Sequence, residues 1–207
     1  MISERYRFLF VHRGKSAGNS LSEALLPFSE DEKVILNAVQ DGVERFNIIN
    51  RTHGTKKHDT LEMYSSRLPP EMFAGLFKFA VLRNPFTRLV SAYFSPHRVL
   101  NGKVNGFVRD DFLQIIARQR TFRDACCLPG AARLDENLDR ILRFEALPDD
   151  FATLAEEIGL PEVPTLGIRN KGGVRDWQSC YDRQTVALVR TRFGEEIEFG
   201  GYEVPST

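Results

Sequence analysis

The sequence predicts an α/β fold with a mainly parallel central sheet flanked by helices, because apolar strand candidates alternate with helix candidates and glycine or Asn-Pro punctuation joins them. The first unit is Tyr6-Arg-Phe-Leu-Phe-Val-His12, rich in aromatic and β-branched residues, followed at once by Gly14 and Gly18 and then by a helix from Ser20 to Leu26. Leu21, Ala24 and Leu25 share a face of that helix, and Pro27 stops it. A polar stretch, Asn50 to Lys57, leads to a helix from Asp59 or Thr60 to Leu68, closed by Pro69-Pro70. The second strand is Leu76 to Leu82, with Asn84 as a cap and Pro85 in the first turn of a helix through Tyr93. Ser95 to Gly106 reads as an exposed loop and Phe107 to Arg118 as a helix. The third strand is Arg140 to Glu145, after which Asp149 or Asp150 caps a helix through Ile158 that ends at Gly159. A last helix, about Asp182 to Phe193, stripes Val186, Val189 and Phe193 on one side and ends at Gly194.

With 207 residues, 42% of them hydrophobic, the chain fits one domain spanning 1–207. Lysine plus arginine and aspartate plus glutamate both number 28, so the overall balance points neither to nucleic acid nor to a membrane surface, and any anion site must be local. No apolar run approaches the roughly 18 residues of a spanning helix, and Met1 to Arg7 lacks the apolar stretch of a secretory signal. The expectation is a soluble, cytoplasmic protein. Cys126, Cys127 and Cys180 form neither a paired disulfide framework nor a zinc pattern and are expected as reduced thiols in or near the core.

The turn Val11-His-Arg-Gly-Lys-Ser-Ala-Gly-Asn-Ser20 joins a strand to a helix and has the parts of a phosphate cradle. Glycines let backbone N–H groups turn inward, a helix N-terminus adds partial positive charge, Lys15 adds a full one, and Ser16, Asn19 and Ser20 can donate hydrogen bonds. Gly14-Lys15-Ser16 is like the end of a Walker A loop, but that motif needs a glycine where Leu9 stands. In the second turn Arg83 closes a strand and Ser91 follows about two helical turns on, with Arg88 beside it on one helix face. An arginine fork suits a phosphate, although alone Arg83 serves equally as a cap or salt-bridge residue. Two such turns at the carboxyl ends of parallel strands favour a ligand with two anionic ends.

These residues resemble the sulfotransferase family that uses phosphoadenosine phosphosulfate, especially its small carbohydrate-type branch. Phe10 to Leu21 looks like the family's 5′-phosphosulfate loop, with Gly14 where the family usually has proline. Phe79 to Tyr93 looks like its 3′-phosphate motif, an arginine closing a strand, Asn-Pro, a second arginine, and a serine eight residues after the first. Leu142-Arg-Phe-Glu145 with the run after it, and the closing stretch from Tyr181 to Tyr202, are similar as well. The resemblance implies a P-loop-kinase-like sulfotransferase architecture and 3′-phosphoadenosine 5′-phosphosulfate (PAPS) as donor, with the bisphosphate PAP as product. It makes Arg13, Gly14, Lys15, Ser16, Ala17, Gly18, Asn19 and Ser20 the loop at the donor's 5′ end, and Arg83 and Ser91 the holders of its 3′-phosphate. Arg169-Asn-Lys-Gly-Gly173 matches a closing loop more weakly.

Sulfuryl transfer is an in-line displacement carried mainly by positioning and electrostatics, with Lys15 expected at the leaving oxygen. The acceptor is a hydroxyl-bearing molecule, a saccharide among the candidates, and its proton needs a base. His58, just ahead of the Thr60 helix in a stretch resembling the family's His-x-Thr-x-x-x-Leu, is the first candidate and His53 the second, while His12 ends a strand beside the loop and is placed to brace it. Some family members use a glutamate instead. No metal is expected, because the sulfuryl group carries little charge and no acidic pair is clustered. The alternatives are a nucleotide or small-molecule kinase and a noncatalytic nucleotide-binding module. Arg51, Lys56, Lys57, Arg118, Arg120 and Arg123 could line a groove for an anionic saccharide or form solvated faces.

Overall fold

Four short strands carry the site-bearing sheet of the computed structural model, which describes residues 1–37, 45–95, 106–167 and 176–206. They are β1 (Ile2–Ser3), β2 (Phe8–Val11), β6 (Phe77–Leu82) and β7 (Arg140–Arg143), in the order β1-β2-β6-β7. β1 runs antiparallel to β2, while β2, β6 and β7 are parallel, with Val11 opposite Ala80 and Leu82 opposite Arg143. Side chains alternate across the sheet. Phe8, Phe10, Phe79, Val81 and Leu142 pack in one cluster with Leu21 and Leu25 of α1 (Gly18–Leu25) and with Phe151 and Leu154 of α7 (Leu147–Glu157). The rings of Phe10 and Phe79 stack at 5.2 Å. The intervening Leu9, Val11, Ala80 and Leu82 are buried too, so the central strands are dry on both faces, as a parallel sheet requires.

The chain divides into two compact units: Met1–Leu82 with Phe122–Arg169, and Arg83–Thr121 with Asn170–Thr207. The first also holds an antiparallel sheet of β3 (Glu32–Asn37), β4 (Arg45–Asn50) and β5 (Thr55–Lys56). Its amphipathic signal is weak: Phe46 and Ile48 reach the core, but Ile35 and Leu36, adjacent in sequence, are both exposed. Two more helices, α2 (Leu61–Arg67) and α3 (Pro70–Gly75), lead into β6, and α6 (Phe122–Cys126) belongs to the same unit. In the second unit α4 (Pro85–Tyr93), α5 (Arg109–Arg118) and α8 (Arg183–Gly200) close over Phe86, Leu89, Tyr93, Phe112, Tyr181 and Phe193. The Tyr181 hydroxyl donates to the carbonyl of Phe86 at 2.8 Å. All three cysteines are free and buried. Among the described residues no helix is long and apolar enough to cross a membrane.

Most helix boundaries follow their predicted signals. Thr60 caps α2 through its side chain, and Asn84 caps α4 with Pro85 in its first turn. Four boundaries differ. Pro70 does more than end a helix: it opens α3, its missing N–H costing nothing in a first turn. β7 stops at Arg143 and a single 3-10 turn, Phe144–Ala146, intervenes. Neither Asp149 nor Asp150 caps α7; both lie in its first turn, and Asp150 accepts from the Arg143 N–H at 2.5 Å, tying the helix back to the strand. α8 continues past Gly194 to Gly200, with non-helical geometry at the buried Phe193, and closes on Gly201 at φ 61°. The apolar stripe ends where the helix kinks, so it reads as a terminus. The predicted loop Ser95 to Gly106 falls mostly on residues outside those described, as does the Arg169 to Gly173 segment.

Asp182 starts α8 with a capping box: its carboxylate accepts from the Thr185 N–H at 2.8 Å, and Thr185 Oγ1 accepts from the Asp182 N–H at 2.8 Å. The Arg109 guanidinium, and then the Thr185 N–H, hold its carboxyl well below the usual carboxylate range. A depressed folded pKa contributes stability that is present above the unfolded value and lost as pH falls. Asp182→Ala is therefore expected to cost about 1 kcal/mol in urea unfolding near neutral pH. That difference from wild type should shrink as the pH drops below about 4.

Candidate active site

β2 ends at Val11 and the chain turns into α1 within six residues, His12 to Ala17. Two residues that are not glycine take left-handed backbone here, Lys15 at φ 66° and Ala17 at φ 56°. Each such residue costs roughly 1 kcal/mol, so the conformation is held by its surroundings. Successive N–H groups in such a path face one concavity, the geometry of an anion nest. α1 opens from Ala17 with no side-chain cap and no acidic residue in its own first turn. α2, α4 and α8 are capped by side chains, whereas α3, α5 and α7 lack such a cap, as α1 does, but carry acidic residues in their first turns.

Ser16 gives a second, independent mark. It is 1% exposed, and its Oγ has no hydrogen-bond partner among the described residues. A buried hydroxyl is normally satisfied, and a phosphate or sulfate oxygen at this loop would satisfy it. Arg13 is buried with its guanidinium 5.5 Å from the Phe122 ring, a cation–π contact that ties the loop to α6. Lys15, Asn19 and Ser20 are half-buried at the loop and the first turn of α1.

Gly18 is required for a reason separate from the turn. A Cβ built there would lie 2.2 Å from His12 Nε2, so the imidazole packs directly on the start of α1. His12 Nδ1 meets Ser22 Oγ at 3.3 Å, one helical turn on, and the ring lies 5.9 Å from Phe10 and 4.7 Å, edge to face, from His58. Burial first, then the neighbouring His58 and Lys57, drives the His12 pKa well below the ordinary histidine value, so the ring is neutral at pH 7. His58 is exposed in the turn before Thr60. His53 lies elsewhere in that stretch, with Nε2 3.1 Å from Glu4 Oε1 and its backbone N–H donated to Asn50 Oδ1 at 3.0 Å. The structure brings His58 to the loop through His12, and gives His53 a carboxylate partner of its own.

β6, the hydrogen-bonded neighbour of β2, ends at the same sheet edge, and Arg83 is the next residue in the chain. Within the second unit Arg83 Nε donates to Thr87 Oγ1 at 3.2 Å, and Ser91 is half-buried on α4. Arg88 is buried instead, donating to Gln119 Oε1 and the Arg120 carbonyl, each at 3.3 Å, beside the Phe193 ring. Several basic residues considered for a saccharide groove also have structural partners. Lys57 is buried on the Phe46 ring and donates to its carbonyl, Arg51 pairs with Glu32, and Arg123 donates to the Ala131 carbonyl. Ser22 and Phe122 carry no motif signal; only the spacing of Ser22 four residues after Gly18 marks a shared helix face.

A strand, an uncapped helix and a strained basic loop with a buried hydroxyl have the geometry of an anion-binding turn in an α/β protein. Residues 1–171 match the sulfotransferase family, and the chain belongs to it. It is also similar to carbohydrate sulfotransferase 10 of Xenopus laevis, 22% identical over 255 aligned positions that take in 99% of this chain and 67% of that protein. No solved structure matches the chain. Family membership supports transferase activity of the sulfuryl type.

The two glycines of the loop separate cleanly by substitution. At Gly14 a Cβ meets nothing within 4 Å and the backbone is not left-handed, so Gly14→Ala is expected to be neutral or stabilising by about 0.4–1 kcal/mol. Gly18→Ala drives a methyl into His12 and should destabilise by about 1–3 kcal/mol, as thermal unfolding of the two variants side by side will read.

Proposed function

We propose that this protein transfers the sulfuryl group of PAPS to an acceptor hydroxyl, with a saccharide as the acceptor class. The observation that carries the reading is the buried Ser16 hydroxyl, without a hydrogen-bond partner among the described residues, inside a left-handed basic loop at an uncapped helix. Similarity to a protein named carbohydrate sulfotransferase 10 supports the saccharide.

The donor, when bound, supplies an activated sulfuryl group on a phosphate leaving group. In this reading the N–H groups from Lys15 through Ser20 and the Ser16 hydroxyl hold its 5′ end, and the Lys15 ammonium offsets negative charge on the leaving oxygen. Arg83 and Ser91 hold the 3′-phosphate, the role that the sulfotransferase resemblance gives them, and Arg83 Nε also donates to Thr87 Oγ1. His58 takes the acceptor proton, favoured over His53 by its contact with His12 at the loop. A kinase reading shares Gly14-Lys15-Ser16 but places Leu9 where its first glycine belongs.

Calorimetry with adenosine 3′,5′-bisphosphate against ATP, with and without magnesium, tests the donor. The bisphosphate should bind more tightly and without metal, and Arg83→Ala should weaken it about tenfold or more. Tighter, magnesium-dependent ATP binding would establish the kinase reading in its place. Mass spectrometry of a saccharide panel incubated with PAPS should show sulfated product that Lys15→Ala abolishes without lowering the melting temperature. Bisphosphate binding with no product across the panel would favour a noncatalytic module.

A further inference from the structure

Beside the loop, the groups that hold His12 account for more than bracing. Its ring is wedged from one side by the backbone of Gly18, where no Cβ fits, and its Nδ1 is tied to Ser22 one turn further along α1. Phe10 stacks on it from the strand. The fourth contact is the exposed imidazole of His58, which belongs to a different segment, the turn between β5 and α2. His12 is thus fixed by three groups of the β2–α1 unit and presents the surface against which His58 rests.

We infer that His12 is the positioning residue of this site: wedged on Gly18 and tied to Ser22, it holds the His58 imidazole at the N-terminus of α1. The inference rests on the donor and base assigned above. It gives the Gly18 requirement a purpose, because the close approach of the His12 ring to Gly18 sets the depth of that ring, and through it the place of His58. His12 itself is too buried to reach a substrate and acts through its neighbour.

A double-mutant cycle tests this. Turnover number, donor KM and the dissociation constant for adenosine 3′,5′-bisphosphate are measured for wild type, His12→Ala, His12→Phe, Ser22→Ala and His58→Ala, and for His12→Ala, His12→Phe and Ser22→Ala each combined with His58→Ala. His12→Ala should lower kcat about tenfold or more, and His12→Phe, which keeps a ring on Gly18, should recover most of the loss. Ser22→Ala, which leaves the ring in the core, should lower kcat about threefold, and it carries the test should His12→Ala not fold. Bisphosphate affinity should stay within about threefold in His12→Phe and Ser22→Ala, and none of the three changes should reduce kcat further once His58 is alanine. Losses that multiply with His58→Ala, or that track bisphosphate affinity, would overturn the inference and reduce His12 to a brace of the loop. Wild-type protein that binds no bisphosphate would remove the donor assignment itself, and the inference with it.

Discussion

Parallel pairing of β2 with β6 is the constraint on which the rest depends. Phe8 to Val11 hydrogen-bond alongside Phe77 to Ala80, and this register brings the carboxyl ends of two strands distant in sequence to one sheet edge. One end continues into His12 and the loop before α1, the other into Arg83 and α4. The pairing is secured by burial on both sides, with the Phe10 and Phe79 rings stacked on one face and Leu9 and Ala80 packed away on the other. A parallel ladder cannot be closed by a hairpin, and the segment between its strands is long enough to carry the small antiparallel sheet and two helices.

The loop after β2 illustrates how a site departs from the rules that stabilise the rest. Left-handed alanine and lysine, an uncapped helix start and a buried serine without a partner would each count against a purely structural turn. They coexist because rigid neighbours impose them: Arg13 is anchored on Phe122, and His12 is locked between Gly18, Ser22 and Phe10. A loop held this way is rigid before any ligand arrives, which is the condition under which an anion would bind with little reorganisation. The second unit spends its polar residues differently. Arg88 is enclosed by Gln119, the Arg120 carbonyl and Phe193, and serves the packing of three helices around aromatic rings.

Where sequence reading succeeded, the governing physics was local. Strands of Phe, Leu and Val, a Thr cap before α2, Asn-Pro before α4 and glycines after β2 act within a few residues of themselves, so the three strand–helix units could be read directly. The antiparallel sheet escaped because its strands are half exposed and lack a clean apolar–polar alternation, as the adjacent exposed Ile35 and Leu36 show. The end of α8 was misplaced because a kink at Phe193 interrupts the apolar stripe that marks a helix, and Asp150 was read as a cap because nothing local reveals its bond to the Arg143 N–H.

The glycines, hydroxyls and lysine of the turn after β2, and the arginine that follows β6, are legible in the sequence by itself, because their spacing along one turn is a local property of the chain. Only tertiary structure shows what each candidate histidine touches. The sequence ranks His58 ahead of His53, and folding sets the His58 ring 4.7 Å from His12 while His53 Nε2 lies 3.1 Å from Glu4 Oε1. It also decided that Lys57 is core and that Gly18 must be glycine, because both depend on what lies across the fold, and distance in space is not written in distance along the chain.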